Sequence, residues 1–441
     1  MGFRRSRTIE RFTRREILAL CGRAALAYPF TWLPPSGRGF RQPLSSPKAL
    51  PASDDLLLDQ MERAAFQFFW NEASPVTGLV KDRALANGGD QRTLSSIAAT
   101  GFGLTALCIA AERGYASRAQ LKARARVTLE FLLSPRMPSV NGFFYHFIDM
   151  NSGSRAPNSE LSSIDTAILL CGILSVRQYF QDRQIASLAT EIYQRVNWPW
   201  MLDGRDTFAM AWSPEKGFTR ARWDTYNELM MLYLLAIGSG TTPIPPSSWA
   251  AWARPTIEYQ GISYISGAAP LFIHQYSHAW FDFHNKQDAY ANYFDNSVKA
   301  TQAHKLFCLS LAGKFPGYSD GLWGITSSDS PHGYVAWGGP PAQGPIDGTV
   351  VPAAAAGSAP FAFSETLKVM RTIRDHYPFA WKRYGFVDAF NPSTKWVNPD
   401  VIGIDTGISM LMAENARSGL VWRTFMANPE AQRAMNLVGF H

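Results

Sequence analysis

A chain of 441 residues with 46% hydrophobic and 17% charged residues is neither disordered nor fibrous, and it can bury a large core. Its formal charge of +7 would suit a nucleic-acid partner, but residues 1–50 hold ten Lys/Arg and two Asp/Glu, which leaves −1 for the rest. The basicity belongs to one end, so nucleic acid is excluded as a partner.

That basic end resembles a twin-arginine export leader over residues 1–33: Arg14 and Arg15 stand between Phe12 and Ile17-Leu18, and residues 18–33 are mostly apolar. A disordered basic terminus or a retained membrane anchor is the alternative. Residues 34–52 form a Pro/Ser-rich linker, and the folded domain is expected over 53–441. Cys108, Cys171 and Cys308 fall in apolar helical patterns, which predicts buried small hydrophobes and no disulfide scaffold. No later stretch is long and apolar enough to span a membrane.

Past the linker, helical spacing predicts helices over 54–70, 93–113, 117–133, 162–181 and 184–196. The second carries Ala98, Ala99, Gly101, Gly103 and Ala106, small residues that let a neighbouring helix approach. Ser117 and Gln120 make a capping box for the third. Residues 142–148, including His146, predict a short strand or extended loop. Further helices are predicted from near Thr225, then at 289–313, 352–358, 364–376, 406–416 and 420–437. Alternating strands are scarce: 208–212, 262–265 and 334–337 are the candidates. About a dozen helices in one chain predict an all-α fold, an (α/α)6 toroid in which paired helices form inner and outer rings.

Two stretches carry the chemistry. Trp223-Asp-Thr-Tyr-Asn-Glu228 and Asn158-Ser-Glu160-Leu-Ser-Ser-Ile-Asp165 each place carboxyl groups where a loop becomes an apolar helix. Two such helix mouths facing one cavity would supply the paired acids that glycosidic cleavage needs. Thr225 to Glu228 also fits a capping box, as does Ser162 to Asp165, so Asp165 has a structural role open to it. Glu160 lies outside that box and is the preferred partner for Glu228. Trp223 and Tyr226 would exclude water from Glu228, which favours a general acid. Tryptophans among Gly, Pro, Asp and Ser (Trp198, Trp200, Trp212, Trp223, Trp323, Trp337) are candidate stacking platforms for sugar rings. Asp82, Asp320, Asp329, Asp347 and Asp405 lie in turn-forming loops, where Asp-Gly is ordinary turn chemistry and Asp405 makes a good N-cap; together they could bond sugar hydroxyls. His274 and His278 have the spacing of two zinc ligands but lack the accompanying Glu and a third ligand, so neither metal nor cofactor is expected. His274, Gln275, Tyr276 and Asp282 are read as a polar wall of the cleft.

Several ordered segments then point to a family. Residues 95–104, 159–166, 226–228, 271–280, 347–352, 384–391 and 403–407 resemble the glycoamylase-like family that includes the endo-β-1,2-glucanases of glycoside hydrolase family 144. The resemblance runs from about residue 55 to the end of the chain. It implies an (α/α)6 barrel and inverting hydrolysis of β-1,2-glucan to short oligosaccharides, with the cleft acids at Glu160 and Glu228 and no cofactor. Related groups act on other β-1,2-linked glucosides or transfer glycosyl groups. The expectation is therefore an exported, periplasmic or extracellular, monomeric glycosidase in which Glu228 protonates the leaving oxygen and Glu160 acts as base. The substrate would lie along Asp165, Trp223, Tyr226, His274, Gln275, Tyr276, Asp320, Trp323, Asp347 and Asp405. A lyase using Tyr276 and His274, and a non-catalytic glycan-binding protein, are the rival readings.

Overall fold

The computed structural model describes residues 51–341 and 343–441. The leader expected over 1–33 lies outside them, as does the linker as far as residue 50. Among the described residues are thirteen α-helices: α1 Ala52–Asn71, α2 Ile97–Arg113, α3 Arg118–Leu133, α4 Ser163–Phe180, α5 Arg183–Gln194, α6 Trp198–Leu202, α7 Met230–Ile237, α8 Tyr293–Ser310, α9 Pro352–Ala356, α10 Phe363–His376, α11 Gly403–Arg417, α12 Leu420–Met426 and α13 Pro429–Leu437. The expected capping box opens α3: the Gln120 N–H donates to Ser117 Oγ, and Ser117 Oγ donates to Gln120 Oε1 at 2.7 Å. The helix expected over 420–437 is two helices, because Pro429 has no N–H to donate and keeps Asn428 out of helical geometry.

Two kinds of helix alternate. In α2 and α4 almost every residue is buried, and α11 is enclosed along most of its length. By contrast α3, α5 and α10 bury one apolar stripe and expose the other face. The small residues of α2 explain how the enclosed helices meet. A Cβ built on Gly101 would lie 2.4 Å from the Ile168 carbonyl, and one on Gly172 would lie 2.1 Å from the Gly101 carbonyl. Only glycine allows backbones that close. A Cβ on Gly407 of α11 would likewise stand 2.4 Å from the Phe102 ring. One continuous apolar core runs through all of these elements and encloses Cys108, Cys171 and Cys308 as free thiols. No helix among the described residues is long and apolar enough to cross a membrane.

Short antiparallel pairings tie the helix mouths together. Arg83–Leu85 pairs with Asp400–Ile402, Leu94–Ser96 with Phe147–Asp149, and Leu161–Ser162 with Ala211–Ser213. Single bridges at Lys81–Ser95 and Tyr145–Leu161 link one pair to the next, and one at Ala209–Arg222 extends the last pair. Each of α2, α4 and α11 begins on the residue after one of these strands. The belt therefore brings the starts of three enclosed helices to one end of the molecule. The strand expected at 262–265 forms as Ile262–Ile265, and it pairs with Thr256–Tyr259 in a separate hairpin.

Candidate active site

At the start of α4 the predicted capping box closes. Ser162 Oγ accepts from the Asp165 N–H at 3.2 Å and donates to Asp165 Oδ2. Glu160, just upstream, keeps 17% of its side chain accessible. Both carboxyl groups face His146, which the strand pairing carries into place: its Nδ1 is 3.2 Å from Glu160 Oε1 and its Nε2 is 3.7 Å from Asp165 Oδ2. Burial works against a charge on this imidazole, but Asp165, Glu160 and Asp82 outweigh it and hold His146 above its ordinary value. His146 was legible only as part of a short strand.

A second acidic group adjoins the first through Asp82. Arg83 Nε donates to Asp82 Oδ2 at 2.8 Å and its Nη1 donates to Asp329 Oδ2 at 2.5 Å. Burial opposes the charge of Arg83, yet these two partners raise it well above the ordinary range. The Asp329 N–H and Asn398 Nδ2 both donate to Asp388 Oδ2, at 2.9 and 3.0 Å. Burial pushes the Asp388 carboxyl well above the usual range, and the facing Asp405 and Asp329 add to the shift. Asp405 occupies the third position of α11, with Ile402 as the N-cap. It was expected to be the cap itself; its place in the first turn still suits the helix dipole. Asp388 is a second group that residue-by-residue reading missed.

The Trp223–Glu228 stretch departs from expectation. The helix starts at Met230, not near Thr225, and the Glu228 N–H is accepted by Asn227 Oδ1 at 2.9 Å. The backbone here is already engaged elsewhere, since the Tyr226 N–H donates to the Ala253 carbonyl at 2.8 Å. Glu228 is fully enclosed, and its carbonyl accepts from Ser277 Oγ at 2.8 Å. The two stretches are nevertheless neighbours: Trp223 Nε1 donates to Ser163 Oγ at 2.9 Å.

The loop-tryptophan expectation is corrected. Trp198, Trp223, Trp323 and Trp337 are buried, while Trp200 and Trp212 are half-buried against each other with ring centroids 5.5 Å apart. The loops fold back over the core, and a large indole gains more by filling it than by facing water. Tyr226, His274, Gln275 and Tyr276 are also enclosed and form a frame behind the site, not a wall open to solvent. His274 bonds Tyr226 and Ser266; burial, with His304 adding to it, lowers it to about 3. Burial likewise holds His278 well below its ordinary value, and its Nε2 faces Ser297 Oγ, so the two imidazoles do not converge. Asp320 pairs with Lys305 and Lys368 on the surface, which lower it to about 2, and Asp347 is exposed, accepting the Thr349 N–H of its own turn at 2.8 Å.

The sequence model of the family described as "Glycoamylase: putative glucoamylase" matches residues 220–429. The crystal structure of a "putative glucoamylase" from Bacteroides uniformis is 30% identical, covering 89% of this chain and 98% of its own, with a TM-score of 0.82. This chain belongs to the glycoamylase family. Another family structure, an endo-β-1,2-glucanase from Chitinophaga pinensis with sophorotriose and glucose, is 28% identical over 89% of this chain and 99% of its own, with a TM-score of 0.81. A curated relative, an exo β-1,2-glucooligosaccharide sophorohydrolase (non-reducing end) from Parabacteroides distasonis, is 29% identical over 88% of this glycoamylase-family chain. The chain spans 58% of that relative's length.

Proposed function

We propose that this chain is a glycoside hydrolase that cleaves β-1,2-linked glucan by endo attack with inversion. The observation that carries the reading is the partly accessible Glu160 set against His146 and Asp165, in a chain whose relatives bear β-1,2-glucan activities over nearly nine-tenths of its length. Glu228 gives its proton to the glycosidic oxygen as the C–O bond breaks. Water attacks the anomeric carbon from the opposite face and passes its proton to Glu160. Asp165 and Asp405, with Asp82 and Asp329, bond glucosyl hydroxyls, while Trp223, Tyr226, His274, Gln275, Tyr276 and Trp323 support that wall from behind. Asp320 and Asp347 sit on exposed turns and would touch only the outermost sugars. No metal or cofactor takes part.

We read the alternation of enclosed and half-exposed helices as the inner and outer rings of an (α/α)6 toroid, one catalytic domain over 53–441. The twin-arginine-like leader supports export to the periplasm or beyond, and we read the exported chain as a monomer.

Incubation of the protein with linear β-1,2-glucan, following product size and anomeric form, tests this. Short oligosaccharides appearing first as the α-anomer are expected. If no new reducing ends appear, hydrolysis is overturned, and glycosyl transfer or glycan binding without cleavage takes its place. The exo activity named for the Parabacteroides relative favours a second reading, in which sophorose is the sole product from the outset.

A further inference from the structure

His146 is held on every side. Its N–H donates to the Glu160 carbonyl at 2.8 Å, and its own carbonyl accepts from the Ile97 N–H at 3.1 Å. Its ring lies on Phe147, with centroids 3.7 Å apart and planes 20° from parallel. The backbone thus ties the mouth of α2 to the segment leading into α4, and the imidazole has little freedom to turn. One nitrogen faces Glu160 and the other faces Asp165. The charged groups around it are Glu160, Asp165 and Asp82, with Arg83 as the cation paired to Asp82.

We propose that His146 is the positioning residue for Glu160, fixing the rotamer of that carboxylate and turning its accessible edge toward the substrate. This rests on the reading of Glu160 as the base. A neutral imidazole has one N–H and one lone pair, so it would meet one of the two carboxylates with the wrong group; the imidazolium turns an N–H toward each, as a hydrogen bond to Glu160 and as a longer ion-pair contact with Asp165. Its folded-state value lies above the ordinary one of about 6.5. The double contact is therefore complete below about pH 6.5 and is lost as pH rises through the raised value.

The test uses the full chain. Carbon-13-labelled histidine is titrated by NMR, the His146 resonance being identified by its absence in His146→Gln. In parallel, kcat and KM on linear β-1,2-glucan are followed against pH for the wild type, His146→Gln and His146→Phe. Glutamine keeps a neutral donor, whereas phenylalanine removes it. The His146 resonance is expected to titrate above 6.5 and to fall back in Glu160→Gln. His146→Gln should lower kcat about 100-fold, change KM by no more than about twofold, and lose the alkaline limb of the wild-type profile. His146→Phe should fall at least as far, and should it fail to fold, the glutamine variant carries the comparison alone. A resonance at or below 6.5, or an active wild type whose His146→Gln variant keeps the same profile, overturns the proposal for His146 alone. A wild type that releases no sugar overturns the hydrolase reading, and with it the base that His146 would position.

Discussion

Ser162-Ser-Ile-Asp165 and Thr225-Tyr-Asn-Glu228 share the spacing of hydroxyl and acid, yet only the first closes into a capping box. At α4 the chain arrives from a belt strand and turns at once into the helix, so Ser162 and Asp165 meet. At Thr225 the backbone is bridged to Ala253, and the helix waits until Met230. The acid that would have closed the box is left enclosed among Ser277 and its neighbours instead. A cap motif states what a segment can do if a helix starts there; long-range pairing decides whether it does.

The strongest test of the contrast is catalytic. Glu160→Gln and Glu228→Gln are each expected to lower the release of reducing ends from β-1,2-glucan by about 10²- to 10⁴-fold. Loss in Glu160→Gln alone would mark the enclosed Glu228 as structural and break the proposed pair. Next in size, Trp223→Phe removes the indole donor that links the two stretches at Ser163. It should lower unfolding stability by about 1–3 kcal/mol in denaturant titration. Ser162→Ala should cost about 1 kcal/mol of stability as a lost cap, while Thr225→Ala, with no cap to lose, should stay within about 0.5 kcal/mol. Equal losses at the two sites would erase the distinction. The smallest effect is expected outside both stretches. Asp320→Asn weakens surface ion pairs with Lys305 and Lys368, which should cost at most about 1 kcal/mol of stability in denaturant titration.

The long helices were readable because their apolar spacing is a local property: the predicted spans at 54–70, 117–133 and 364–376 match α1, α3 and α10 closely. Gly101 was readable too, since a glycine in a helix invites close approach. The site was only half legible. Glu160 and Asp165 announced themselves beside a cap motif, but His146 stands on a bend between the strands Phe143–Phe144 and Phe147–Asp149, which are too short to show any periodicity. Asp388 and Asp329 acquire their meaning from partners far along the chain, and Arg83 reaches Asp329 across 246 positions. The tryptophans misled for a related reason. Loop composition shows that a segment lacks regular structure, not that its side chains face water.

The belt at the helix mouths has a consequence for how the protein matures. Its pairings join residues 83–85 to residues 400–402, and the acidic group around Arg83 is completed only by Asp388 and Asp405. A nascent chain emerging from the ribosome therefore holds Arg83, His146 and Glu160 long before their last neighbours exist. No fragment that ends before Asp405 can carry the assembled group, and closing the belt joins segments more than 300 residues apart, a slow kind of contact. Appearance of activity during synthesis should thus be a late, single event that reports arrival of the final helices.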